Sequence, residues 1–147
     1  MIYSEAKFGR VFILRLEHGD IIHETIENFA KEKNIKSAGV IAVGAVDRGS
    51  KLVVGPEKGD ARPINPMEYT LNNVYEVSGT GTLILDGDDN PMLHMHLSCG
   101  RGENALVGCI RKGVVVWQIL EVIIYEIVGT SAKRVFDKEL GFHTFSI

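Results

Sequence analysis

The stretch from Val114 to Val128 is almost continuously apolar, broken by Gln118, Glu121 and Glu126. It falls short of the ~20 apolar residues a helix needs to cross a bilayer, so it reads as a buried strand and no membrane partner is expected. Alternate side chains of a strand point to opposite faces. Val116, Leu120, Val122 and Ile124 therefore line one face, and Trp117, Ile119, Ile123 and Tyr125 the other. A half-solvated strand alternates apolar with polar residues. Here both faces demand cover. A single helix does not supply all of it, and contact with another copy of the chain is the natural second cover.

Only one helix is legible. Ile22, Ile26, Phe29 and Ala30 fall at helical spacing after Asp20, a residue suited to the N-cap, with Glu24 and Glu27 ahead of Lys31 and Lys33. Around it lie β-rich runs at 11–16, 38–46, 51–54, 71–85, 92–98, 105–111 and 114–128, punctuated by His18-Gly19, a Pro- and Gly-bearing loop at 55–66, the turn Asp86–Pro91 and Lys112-Gly113. The tail through Glu139–Phe142 reads as a short helix or an irregular arm. Many strands joined by short turns, with one early helix, predict an α+β, largely antiparallel, sandwich-like domain spanning 1–147.

Composition narrows the function classes. A 147-residue chain that is 45% hydrophobic and 24% charged can bury a core. Its net charge of -3 and scattered basic residues do not favour strong nucleic-acid binding by the chain alone. Cys99 and Cys109 are too few for a secreted disulfide scaffold, and the opening MIYSEAKFGR lacks a signal-peptide core. A reduced, cytoplasmic protein is expected.

Chemistry concentrates in Pro91-Met92-Leu93-His94-Met95-His96-Leu97-Ser98. On a strand, His94, His96 and Ser98 share one face and Leu93, Met95 and Leu97 the other. Two imidazoles so spaced, ~7 Å apart at Cα, lean toward a common point as transition-metal ligands. If the next strand pairs antiparallel, Leu106 and Ile110 match the apolar face and Cys109 falls opposite His94 or His96. Cys109 is the best third ligand. Cys99 alternates onto the other face, yet it lies in the turn and stays open as an alternative. Three protein ligands plus water make an open site, suited to Lewis-acid or activated-water chemistry. The same HxH pattern is also compatible with two solvent-facing or interface histidines, and a lone Cys with a small core residue.

Weaker signals resolve to structure. The acidic turn has Pro91 where a calcium loop needs Gly and Leu97 where it needs Glu. Gly79-Thr80-Gly81 lacks the strand-to-helix context of a dinucleotide fingerprint, so no such cofactor is expected. Glu121 interrupts an apolar face; it reads as a rim or interface carboxylate, with a general base as the sharper alternative. His18, His23 and His143 read as surface or capping residues.

In their order along the chain, Arg15-Leu16-x-x-Gly19-Asp20, Phe29-Ala30, Gly44-Ala45, Val77-Ser78-Gly79-Thr80, Leu93–Ser98, Gly113 leading to Glu121-Val122 and Asp137-x-x-Leu140-Gly141-Phe142 resemble the plants-and-prokaryotes conserved (PPC) domain. That resemblance implies a compact antiparallel sheet with a flanking helix, assembled as a homotrimer. It implies a metal near the histidine strand, mapped onto His94 and His96, and it brings DNA into view, since plant members accompany AT-hook motifs and stand-alone prokaryotic members are described as candidate DNA-binding proteins. Where prokaryotic members carry Gly-Gly-His, this chain has Val107-Gly108-Cys109, a thiol in place of an imidazole. It has no Arg-Gly-Arg-Pro hook; Arg101-Gly102-Glu103 is the nearest sequence. The expectation is a homotrimer with a His94/His96/Cys109 site for zinc or another transition metal. Its role is expected to be either a regulatory or small-ligand-binding module, associated with DNA or a protein partner, or a metal-dependent enzyme with Glu121 or another carboxylate as base.

Overall fold

A computed structural model describes Met1–Ile147. Its strands are β1 (Lys7–Glu17), β2 (Ser37–Val46), β3 (Lys51–Pro56), β4 (Pro66–Thr70), β5 (Tyr75–Leu85), β6 (Pro91–Arg101), β7 (Asn104–Lys112), β8 (Val116–Val128), β9 (Lys133–Asp137) and β10 (Phe142–Ser146); the helix α1 is Ile22–Glu32. The fold is α+β, as the alternation of apolar residues predicts. β1 to β8 form one eight-stranded sheet in the order β1-β8-β2-β5-β6-β7-β3-β4, and β9 and β10 form a separate two-stranded ribbon. Every ladder in both is antiparallel.

One face of the sheet carries the core. Val116, Leu120, Val122 and Ile124 of β8 are fully buried there, with Val40, Leu83, Met95 and Leu97 from neighbouring strands. The helix sets Ile22, Ile26 and Ala30 against them with no exposed surface. Burying each of those Ile side chains contributes roughly 1.5–3 kcal/mol. The other face is open. On it Ile13 is 83% exposed, and Val11, Ile41, Val43, Val107 and Ile119 also reach solvent.

Some local expectations are corrected. Asp20 does not cap α1. Its carboxylate accepts the Glu17 N–H at 2.8 Å and closes the β1 turn, while Ile22 N–H reaches Val114 O at 3.0 Å. Strand structure begins at Tyr75 rather than Leu71, because Leu71 N–H instead pairs with Ser50 O in the turn after β4. The tail is neither helix nor irregular arm. Asp137 Oδ1 accepts the N–H groups of Glu139 and Leu140, which makes a tight turn and pairs β9 with β10. The Asp86 tract is a turn, with Asp86 Oδ1 accepting from Asp88 and Asn90. No helix is long and apolar enough to cross a membrane.

Candidate metal centre

The histidine strand lies inside the sheet, between β5 and β7. Its alternation holds: Leu93, Met95, Leu97 and Cys99 are buried on the helix face, and His94, His96 and Ser98 stand on the open face. Tight packing against β5 fixes that strand. A Cβ at Gly81 would lie 2.6 Å from His94 O and 2.8 Å from Met95 Cα, closer than any real side chain approaches. Only glycine lets β5 run this near to the backbone that carries the imidazoles.

Across the other ladder, His96 pairs with Cys109. The two strands stay paired from there to Arg101 and Asn104, and beyond Cys109 they part. β7 is then drawn toward β3, pairing Cys109 with Val53 and Ile110 with Leu52. The edge of β6 left unpaired is satisfied elsewhere; Leu93 N–H donates to Glu27 Oε1 of the helix at 2.8 Å. His94 therefore stands at the rim of a gap, next to the last paired rung.

The ligand atoms of His94, His96 and Cys109 all lie within 4.8 Å of one another. His94 Nε2 and His96 Nε2 are 3.2 Å apart. Two metal–nitrogen bonds of ~2.0–2.1 Å at a tetrahedral angle would separate the nitrogens by ~3.3 Å, so the imidazoles already have the spacing of a shared ion. The same geometry asks for ~3.6 Å from nitrogen to sulfur, which a closure of about 1 Å by the thiol supplies. Burial, then the charges of Arg134, Arg111 and His96, push His94 down to about 4. It is thus a neutral imidazole near pH 7, the form that binds metal. Arg111 Nε donates to Cys109 Sγ at 3.3 Å, the kind of supporting hydrogen bond that orients a metal ligand. The donor set fits a transition metal. Cys99 does not join it, being fully buried on the helix face with its thiol pushed up to about 11 by burial.

Glu121 is not among the clustered ligands. It is exposed on β8 opposite Arg15 and Val43, on the open face but three strand spacings (~14 Å) from β6. Together with His96 it lines a hollow of about 540 Å³ on that face, so it borders the cluster without being one of its ligands. His18 Nδ1 accepts the Gln118 N–H at 3.3 Å, where Gln118 takes a positive φ. His23 and His143 are not simple surface residues, since both line a hollow beside His94. Arg111 and Arg134, which shape the site's charge, were not singled out from the sequence. Arg111 had a signal: it shares the face of Cys109 two residues on. Arg134 had none, because its position depends on the tail folding as a ribbon.

The sequence profile of the Plants and Prokaryotes Conserved (PCC) domain matches residues 3–128. This chain belongs to the PCC-domain family. No curated protein matches the sequence. Among solved structures, the metal-containing protein of Archaeoglobus fulgidus is 25% identical, with a TM-score of 0.85 and full coverage of both chains. The plant- and prokaryote-conserved protein of Pyrococcus horikoshii is 22% identical, with a TM-score of 0.81 and full coverage of both. A candidate DNA-binding protein of Bacteroides thetaiotaomicron is 18% identical, with a TM-score of 0.74 over 97% of this chain and 98% of its own. At these distances the last two show that the PCC-domain fold is shared.

Proposed function

We propose that this PCC-domain protein is a cytoplasmic, one-domain, homotrimeric metal-binding module that holds one transition-metal ion per chain on His94, His96 and Cys109. The convergence of those donors on one face carries the reading. Two imidazoles and a thiolate are a borderline-soft set, which zinc suits. The metal-containing Archaeoglobus relative adds support.

The open side of the cluster looks into a groove of about 320 Å³ whose walls include Val53, Pro56, Ile64, Arg111 and Phe142. A groove with apolar walls and a few polar groups beside an incomplete coordination shell suits a regulatory or ligand-binding module for a small molecule. Metal-dependent catalysis through a bound water is the second reading, favoured by the open coordination position. It has a cost in general bases: the groove's one carboxylate, Glu68, is engaged by Lys112 at 2.9 Å. DNA association is supported by the names of relatives alone, and a salt-dependent titration of the duplex tests it. The homotrimer is supported by the uncovered apolar side chains of the open face, such as Ile13, Ile41 and Val43, which a second copy would cover.

Metal analysis of protein purified without added metal tests the central reading. Near one ion per chain is expected in the wild type, and none in the folded His94→Ala, His96→Ala double variant. Light scattering should report about three times 16.2 kDa, and a clean monomer would refute the assembly.

A further inference from the structure

Arg134, in β9, is the only cationic side chain among the buried residues, 5% exposed. Its Nη2 donates to Thr82 Oγ1 at 2.7 Å, and its Nε is buried with no acceptor in reach. None of the six ion pairs of the chain uses Arg134 or Arg111. A buried charge without a counter-ion is strongly unfavourable, so a fold that keeps one in place has a use for it.

A second orphan lies in the same place. His23 Nδ1 is buried and has no partner, and His23 and Arg134 both line a hollow of about 170 Å³. Arg111, His94 and His143 also line it. It opens where β6 and β7 part beyond the His96–Cys109 rung, and α1 and the β9–β10 ribbon close its sides. Glu27 is the one carboxylate on its wall, and it is held by the Leu93 N–H at 2.8 Å. Burial, then the nearby Arg111 charge, lower the Arg134 pKa, with Cys109 acting in the opposite sense. Arg134 and Arg111 thus bring two positive charges to the hollow, and neither is paired with a carboxylate; Glu27, on the α1 wall, is the one acidic group there.

We propose that this hollow is an anion-binding site, in which Arg134 and Arg111 grip a small oxyanion, carboxylate or phosphate, and His23 offers a further hydrogen bond. A guanidinium presents paired N–H donors that match two oxygens of such a group. Because His94 is a wall of both this hollow and the metal cluster, the anion stands beside the ion, which makes an oxyanionic small molecule the ligand class of the module. That last relation rests on the metal reading; the arginine site does not.

Thermal melting in inorganic phosphate or in acetate, each against chloride at equal ionic strength, tests it. Both salts stabilise proteins generally, so the readout is the difference between the wild type and its variants. A larger rise in the wild type than in Arg134→Gln supports the site, and the more effective salt tells phosphate from carboxylate. Equal rises in both proteins, or none in either, overturn it. Should Arg134→Gln fail to fold, Arg111→Gln, at an exposed position, carries the test. Its affinity for the more effective anion by calorimetry should fall at least about tenfold, and an unchanged value overturns the site. Protein stripped of metal by a chelator should keep the response that depends on Arg134. Loss of the response on stripping would assign the anion to the metal instead and overturn the arginine site, while its retention in a chain that never binds metal would leave the arginine site standing.

Discussion

His96 and Cys109 face each other across the β6–β7 ladder, on the last rung before the two strands separate. Pairing fixes the thiol next to one imidazole, and the parting of the strands leaves the other, His94, at an open edge. The chemistry of the face follows from where that ladder stops.

The two cysteines should therefore behave differently. Cys109→Ser is expected to weaken zinc binding by at least about tenfold while the protein stays folded, measured by competition with a chelating dye. Cys99→Ser puts a hydroxyl into the core and should instead lower stability by roughly 1–3 kcal/mol, with zinc affinity retained. Equal zinc affinities for the two variants would rule out the thiol of Cys109 as a ligand.

Gly81→Ala tests how β5 positions the imidazoles. The added methyl meets the backbone of His94 and Met95, which cannot move aside as a side chain would. A loss of roughly 1–3 kcal/mol in denaturant unfolding is expected, together with weaker metal binding. An alanine variant that melts and binds metal like the wild type would contradict the close approach.

Arg10 and Glu126 make the best-defined ion pair. Glu126 Oε2 accepts from Arg10 N and Nε, and Oε1 from Nη2, at 2.7–2.9 Å. Hydrogen bonds from the Arg10 side chain, outweighing the opposing effect of burial, hold the carboxyl at about 2, well below its ordinary value near 4.5. The carboxylate thus stabilises the fold at pH above its unfolded value, and that contribution is lost as pH falls from about 4.5 toward 2. Glu126→Gln should flatten this acid limb and cost about 1 kcal/mol at neutral pH, a modest figure because Arg10 is half exposed. Parallel stability curves for the two proteins below pH 4.5 would contradict it.

The face shared by His94 and His96 was legible because a strand's period of two is set by local geometry, and Leu93, Met95 and Leu97 mark its buried side. Cys109 was narrowed to two partners by the same logic; only the real register chose His96. The sheet's order was not legible, since β8 inserts between β1 and β2 through contacts far apart in sequence. β4 is exposed along its whole length and carries no alternation to read. The β9–β10 ribbon is short and half exposed, and its turn depends on Asp137 hydrogen bonds rather than on hydrophobic period. Arg134 went unread with it. A charged residue on a strand looks solvated until the surface covering it is known.

X-ray absorption at the metal edge of protein purified without added metal tests the central claim most directly. The account predicts a bound transition metal with sulfur near 2.3 Å and two imidazole nitrogens at ~2.0–2.1 Å, the nitrogen signal vanishing in the His94→Ala, His96→Ala variant. A protein that carries no ion even when zinc is supplied, or an ion with neither sulfur nor imidazole around it, would contradict the account.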